Sequence, residues 1–180
     1  MNKRALMISE IIGCAAIYSA AVYLHFAYTL SSGSALGLVF GAVNESVWEH
    51  VKIFSSAYAG WALLQLMWIK VPFRRYAVSK CIGLYTLMGG IICFYYAYTA
   101  LIGTGSPSVY IIFSVIAVIL TQLLSLKLTL SDNRLEDYFH PAMMLFLLYY
   151  LMYFSFSIFP PHVGLFRDPV SGGYGIQAVI

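Results

Sequence analysis

Charge is what this sequence has least of. Ten Lys and Arg and seven Asp and Glu make up 9% of 180 residues, where a soluble domain carries about 25%. So few charges cannot cover the surface of a soluble fold, which excludes a soluble globular domain, a coiled coil, a disordered segment and a nucleic-acid binder. Cysteine is also scarce: Cys14, Cys81 and Cys93 fall within or at the edge of apolar stretches and lack C-x-x-C spacing. That pattern fits packing residues better than a disulfide framework or a thiolate metal site. H-E-x-x-H, the E-E-x-x-x-R pattern of CAAX-type membrane proteases, a nucleophile elbow, a P-loop and a dinucleotide fingerprint are all missing. No internal repeat, low-complexity tract or linker divides the chain.

What is present is apolar. Hydrophobic residues make up 61% of the chain and the mean hydropathy is +0.82. Crossing a bilayer takes about 20 apolar residues, and five stretches qualify: about 5–29, 51–70, 77–102, 108–130 and 141–160. Strict apolar/polar alternation is missing, so the spans are helices rather than barrel strands. The expected fold is all-α: one integral membrane domain over 1–180, with five transmembrane helices and a short re-entrant or interfacial helix. The first stretch has too long an apolar run for a signal peptide and reads as a retained span.

Orientation follows from Lys and Arg near the span ends. With the N-terminus inside, Lys3, Arg4, Lys70, Arg74, Arg75, Lys80, Lys127 and Arg134 lie on the inner side and only Lys52 and Arg167 on the outer. The expected topology is a multi-pass cell-membrane protein with its N-terminus cytoplasmic and its C-terminus, including the tail 161–180, outside. Val71–Arg75 and Gly103–Pro107 read as turns, and Ser131–Asp137 as a capped, solvated inner loop.

Between the first two spans, Ala35–Val43 is apolar but too short to cross. Gly33, Gly37 and Gly41 recur at spacing four, and Glu45 and Glu49 continue the series. On one continuous helix all five share a face, and the glycines permit close helix packing. The polar end, Asn44-Glu45-Ser46-Val47-Trp48-Glu49-His50-Val51-Lys52, crowds two acids, an amide, an imidazole and an ammonium into nine residues. One reading is an interfacial helix start, with the acids at the positive end of the helix dipole and Trp48 in the aromatic belt.

The other reading is a site. The expected topology sends the tail, with His162, Arg167 and Asp168, to the same face as Glu45, Glu49 and His50, and His25 lies about a turn from the exit of the first span. Three of the four histidines and three of the seven acids then share one face. Two chemistries suit this set. His50, His162 and Glu45 or Glu49, with His25 as a weaker candidate, are ligands for a divalent metal such as zinc, iron or manganese, with Asp168 behind them supporting a ligand or acting as the base. Without a metal, Glu45 and Glu49 form an acid/base pair. Asn44, Trp48 and Arg167 would contact substrate, Arg167 through an anionic head group. His25 alone also reads as a hydrogen-bonded interior histidine, and Glu10 as an inner-interface residue. Gly172, Gly173 and Gly175 let the tail fold back as a lid, tethered by ion pairs of Arg167 or Asp168.

Tyr23, Tyr28, Tyr95, Tyr96, Tyr98, Tyr110, Tyr153 and Phe159 lie toward the outer ends of the spans, as an aromatic belt or as the lining of a cavity for an acyl, isoprenyl or ring-shaped ligand. The functions in play are an enzyme acting on a lipid or lipid-linked substrate, a transporter or ion-binding protein, and a non-catalytic assembly subunit. The motifs N-E-x-x-W-E-H (Asn44–His50) and H-x-x-L-F-R-D-P (His162–Pro169) resemble a family of small bacterial five-span membrane proteins without assigned activity, over nearly the whole chain. That resemblance implies a bacterial inner-membrane setting. An Asn/Trp/His signature near an early helix is more loosely similar to the hemolysin III/adiponectin-receptor hydrolases. Those have seven spans and paired C-terminal histidines, which this chain lacks, so their zinc ligands are not transferred to it.

Overall fold

A computed structural model describes residues 2–103, 105–131 and 134–176. Parts of two expected turns (Thr104; Asp132 and Asn133) and the last four residues of the expected tail lie outside the described residues. Six α-helices follow one another: α1 (Lys3–Leu30), α2 (Ala35–Phe40), α3 (Val47–Gln65), α4 (Phe73–Ile102), α5 (Pro107–Leu130) and α6 (Phe139–Ile158). Short 3-10 turns at Leu135–Tyr138 and Gly164–Phe166 complete the order.

Four helical segments, Lys3–Leu30, Phe73–Ile102, Pro107–Leu130 and Leu135–Ile158, are long and apolar enough to cross a membrane. They correspond to four of the five expected spans, and the protein is a polytopic membrane protein. The stretch expected at 51–70 is realised as α3, which is not among the four. It starts earlier than the apolar run because Ser46 caps it, its Oγ accepting the Glu49 amide at 3.3 Å, and its first two turns carry Glu49, His50 and Lys52. These polar residues are tolerated because α3 is enclosed by other helices: Val47, Trp48, Glu49, Val51, Lys52, Ser55, Tyr58 and Gln65 are all buried.

Specific contacts fix the directions of the helices. Near one end of the bundle Gln65 Nε2, from the last turn of α3, donates to Ser9 Oγ at the start of α1 at 3.0 Å. Near the other end His25 of α1 approaches His50 of α3, ring centroids 5.4 Å apart. The two helices are therefore antiparallel. Helix α5 runs against α4, with Phe94 and Phe113 stacked at 3.7 Å and Lys80 near Gln122. Helix α6 is parallel to α4: Cys81 Sγ donates to the Ala142 carbonyl and Tyr85 Oη to the Leu145 carbonyl.

The expectation of one helix running from the glycine stripe through Glu49 is corrected. Helix α2 ends at Phe40, and the chain at 41–46 is not helical. The glycines do serve close packing. A Cβ on Gly41 would lie 2.8 Å from the Tyr28 backbone nitrogen, so α2 rests directly on the end of α1. Glu45, by contrast, sits in the link outside either helix, and need not face the same way as Glu49.

Gly83 of α4 is equally constrained, because a Cβ there would collide with the hydroxyl of the fully buried Tyr58. Gly83→Ala is expected to cost about 1–3 kcal/mol, the usual range for overpacking. Tyr58→Phe in the same chain should recover much of it by removing the colliding oxygen. Thermal unfolding of the parent chain and the two variants in detergent measures both.

Candidate metal centre

The link at 41–46 is held so that its Glu45 and the Glu49 of α3 diverge. The Ala42 amide donates to the Leu24 carbonyl at 3.1 Å and the Ser46 amide to Asn44 Oδ1 at 2.9 Å. Glu49 turns inward: its Oε2 accepts from the Val43 amide at 3.0 Å and lies 2.7 Å from Lys52 Nζ, with both side chains almost wholly buried. Residues three apart share a helix face, which explains this partner. Lys52 also donates to the Leu38 carbonyl at 3.3 Å, joining α3 to α2.

Glu45 turns the other way, between two imidazoles. Its Oε1 lies 3.6 Å from His25 Nε2 and its Oε2 lies 3.6 Å from His50 Nε2. One ligand atom from each of the three residues falls within 4.8 Å of the others. Direct hydrogen bonds would be shorter than this. Bonds of about 2.0–2.2 Å around a tetrahedral ion place neighbouring donor atoms about 3.4 Å apart, inside the 4.8 Å that bounds the three ligand atoms. His50 is oriented as well: Nδ1 lies 2.9 Å from the Ser46 carbonyl, which can only accept, so Nδ1 is the donor and Nε2 is the nitrogen that faces Glu45. A backbone carbonyl holding the far nitrogen is the usual support of a metal-binding imidazole. The side chains of His25, Glu45 and His50 are 25%, 49% and 37% exposed, so the cluster is reachable.

All three line a cavity of about 580 Å³ enclosed by α1, α3, α4 and α5. Its remaining walls are mainly apolar, including Phe54, Ile91, Phe94 and Phe113, and Pro169 and Val170 of the tail close part of it.

The chain matches, over residues 2–176, a family of unknown function (DUF6512). It belongs to that family. No curated protein and no solved structure matches it. The family description carries no activity, so for this DUF6512 chain the chemistry has to be argued from the side chains.

The other expected site residues sit around the cluster without joining it. His162 stacks on Tyr174, centroids 4.5 Å apart, and belongs to no described group of three metal-binding side chains. Asp168 is buried and shapes the tail: its Oδ1 accepts from the Val170 amide at 2.9 Å and its Oδ2 from Ser171 Oγ at 2.7 Å. Trp48 lies in an aromatic triangle with Phe156 and Phe166, centroids 5.1–5.3 Å apart. Asn44 donates to the Gly175 carbonyl at 2.9 Å, and Arg167 Nε to the Gly172 carbonyl at 3.3 Å. The tail does fold back over the bundle. Its tether is the Asn44 amide and the buried Phe166; among the described residues neither Arg167 nor Asp168 forms an ion pair.

At the opposite end lies a polar cluster that the sequence reading did not assemble. Lys80 Nζ donates to both oxygens of Glu10, at 2.7 and 2.9 Å, and lies 3.4 Å from Gln122 Oε1. Gln122 Nε2 donates to the Glu10 carbonyl at 3.3 Å. Tyr76 Oη is 2.7 Å from the Ala62 carbonyl and 2.9 Å from Gln65 Oε1. Glu10 and Lys80 are 2% and 1% exposed, so each is shielded within the bundle and compensated by the other. A signal was available: each is an ionisable group inside an apolar stretch, where it needs a partner.

Proposed function

We propose that the protein is a membrane-embedded metal-dependent enzyme acting on a lipid or lipid-linked substrate, with His25, Glu45 and His50 as the protein ligands. One observation carries this reading: a two-histidine, one-carboxylate cluster on the wall of a large apolar cavity. Three protein ligands leave a coordination position open, as catalytic sites require, and a bound ion there would activate water or polarise an ester or phosphoryl oxygen. The apolar walls favour a substrate drawn from the membrane. Glu49, Asp168 and His162 serve the site from a distance by holding the α2–α3 link and the tail.

In this reading α3 is a fifth span. Nineteen residues reach about 28 Å, close to the hydrocarbon thickness, and α3 runs antiparallel to α1 from Glu49 to Gln65. The cluster then lies on the outer side. Setting aside Lys80 and Lys52, which are buried in ion pairs, leaves Lys3, Arg4, Lys70, Arg74, Arg75, Lys127 and Arg134 at one end and Arg167 at the other. The bias is kept. A C-terminal reporter active only outside the cytoplasm is expected to be active, and an inactive one would reverse the topology.

The function is tested by metal analysis of the purified protein after exposure to zinc, iron or manganese. About one ion per chain is expected, and a chain that retains none would remove the metal centre.

A further inference from the structure

The ligand cluster occupies only one part of the cavity, and the shape of the rest limits what it can hold. A methylene takes up much the same space as a water molecule, about 30 Å³, so a volume of about 580 Å³ accommodates on the order of 20 chain carbons. That is one acyl or isoprenyl chain; a lipid with two long chains would need nearly twice the room. The mouth is lateral. Val22 and Phe26 of α1 and Ile111 of α5 line the cavity and are also 44%, 52% and 54% exposed. The space therefore opens between α1 and α5 onto the apolar flank of the bundle, where lipid would lie. Toward the opposite end these two helices are joined, where Gln122 meets the Glu10 carbonyl.

A second cavity of about 390 Å³ shares Tyr95 and Pro169 with the first, and its wall includes Thr99, Arg167 and the carboxylate Asp168. Among the described residues no carboxylate pairs with Arg167. Its Nε donates to the Gly172 carbonyl, and the neighbouring Asp168 commits its oxygens to Val170 and Ser171. The guanidinium is a planar donor fork suited to phosphate, placed where the apolar cavity meets the polar surface.

We infer that the two cavities form one bipartite site for a single-chain amphiphile with an anionic phosphate head group: the chain lies in the apolar cavity, the phosphate on Arg167, and the segment between them beside His25, Glu45 and His50. This names the substrate class of the site proposed above and rests on that reading for its chemistry, but not for binding.

The test uses the full chain in lipid nanodiscs and four probes: 1-palmitoyl-lysophosphatidate, its uncharged counterpart 1-palmitoylglycerol, dipalmitoyl phosphatidate and inorganic phosphate. Saturable binding of about one lysophosphatidate per chain is expected, at least tenfold tighter than dipalmitoyl phosphatidate and not displaced by millimolar phosphate. Arg167→Gln should weaken lysophosphatidate about tenfold and leave 1-palmitoylglycerol unchanged. Val22→Trp and Ile111→Trp, at the exposed mouth, should weaken both single-chain probes tenfold or more, with an unchanged unfolding midpoint showing that the fold is intact. A lack of saturable binding, equal affinity for one and two chains, indifference to both tryptophans, or displacement by phosphate alone would each overturn the inference. Metal content measured on the same samples separates the two claims. Bound ion without amphiphile sinks only this inference, and bound amphiphile without ion sinks only the metal centre.

Discussion

In the proposed metal centre, His50→Ala is expected to abolish ion binding, as are His25→Ala and Glu45→Gln. Each removes one of three donors whose ligand atoms lie within 4.8 Å of one another. Losing a group that merely supports a ligand typically costs about 10–100-fold in metal affinity, so losing a ligand should cost about 100-fold or more. His162→Ala is the informative comparison. This histidine is exposed and stacked on Tyr174, and its removal should leave the ion in place. Loss of metal from His162→Ala but not from His25→Ala would show that the ligand set is wrong. The pH dependence has a definite sign. Protons and metal compete for the imidazole nitrogens, so affinity should fall as pH is lowered. Isothermal titration or competition with a metallochromic chelator measures each of these.

The second large effect is expected at the other end of the bundle. Lys80→Met leaves the Glu10 carboxylate buried without its cation, with Gln122 as a poor replacement. Breaking a buried pair from one side costs about 3–5 kcal/mol, a large part of a typical stability of about 5–15 kcal/mol. Glu10→Leu alone should cost a similar amount by stranding Lys80, whose remaining close contacts are Gln122 and the faces of Tyr58 and Tyr76, 5.2 and 5.4 Å away. The double variant Glu10→Leu/Lys80→Met should regain most of the loss, because two apolar side chains in an apolar core need no partner. Unfolding in a denaturing detergent series gives the four corners of the cycle. Additive losses would show that the two residues act independently and that the 2.7 Å contact contributes little.

Much of the fold was legible in the order of residues. The apolar runs at 5–29, 77–102, 108–130 and 141–160 lie within a few residues of α1, α4, α5 and α6, because lipid-facing helices must be apolar along most of their length. Helix α3 escaped that rule. The apolar run suggested a start near residue 51, whereas the capping residue Ser46 starts it earlier. Neighbouring helices, not lipid, enclose its polar first turns. The spacing of Glu45 and Glu49 was misleading for a related reason. A separation of four implies a common face only if the helix is continuous, and the break after Phe40 sends one acid to Lys52 and the other to the histidines.

Composition alone determined that this is a membrane protein, since 9% charge cannot cover a soluble surface, and the missing apolar/polar alternation made its spans helical. Sequence also drew attention to Asn44–His50 and to the tail, because polar residues are costly in such a chain. Only the tertiary structure decided who meets whom. It brought His25 from another helix to Glu45 and His50, turned Glu49 to Lys52 and Asp168 to Val170 and Ser171, and joined Glu10 to Lys80 across seventy residues. Those pairings depend on where helices cross and where one of them breaks, and local spacing carries no record of either.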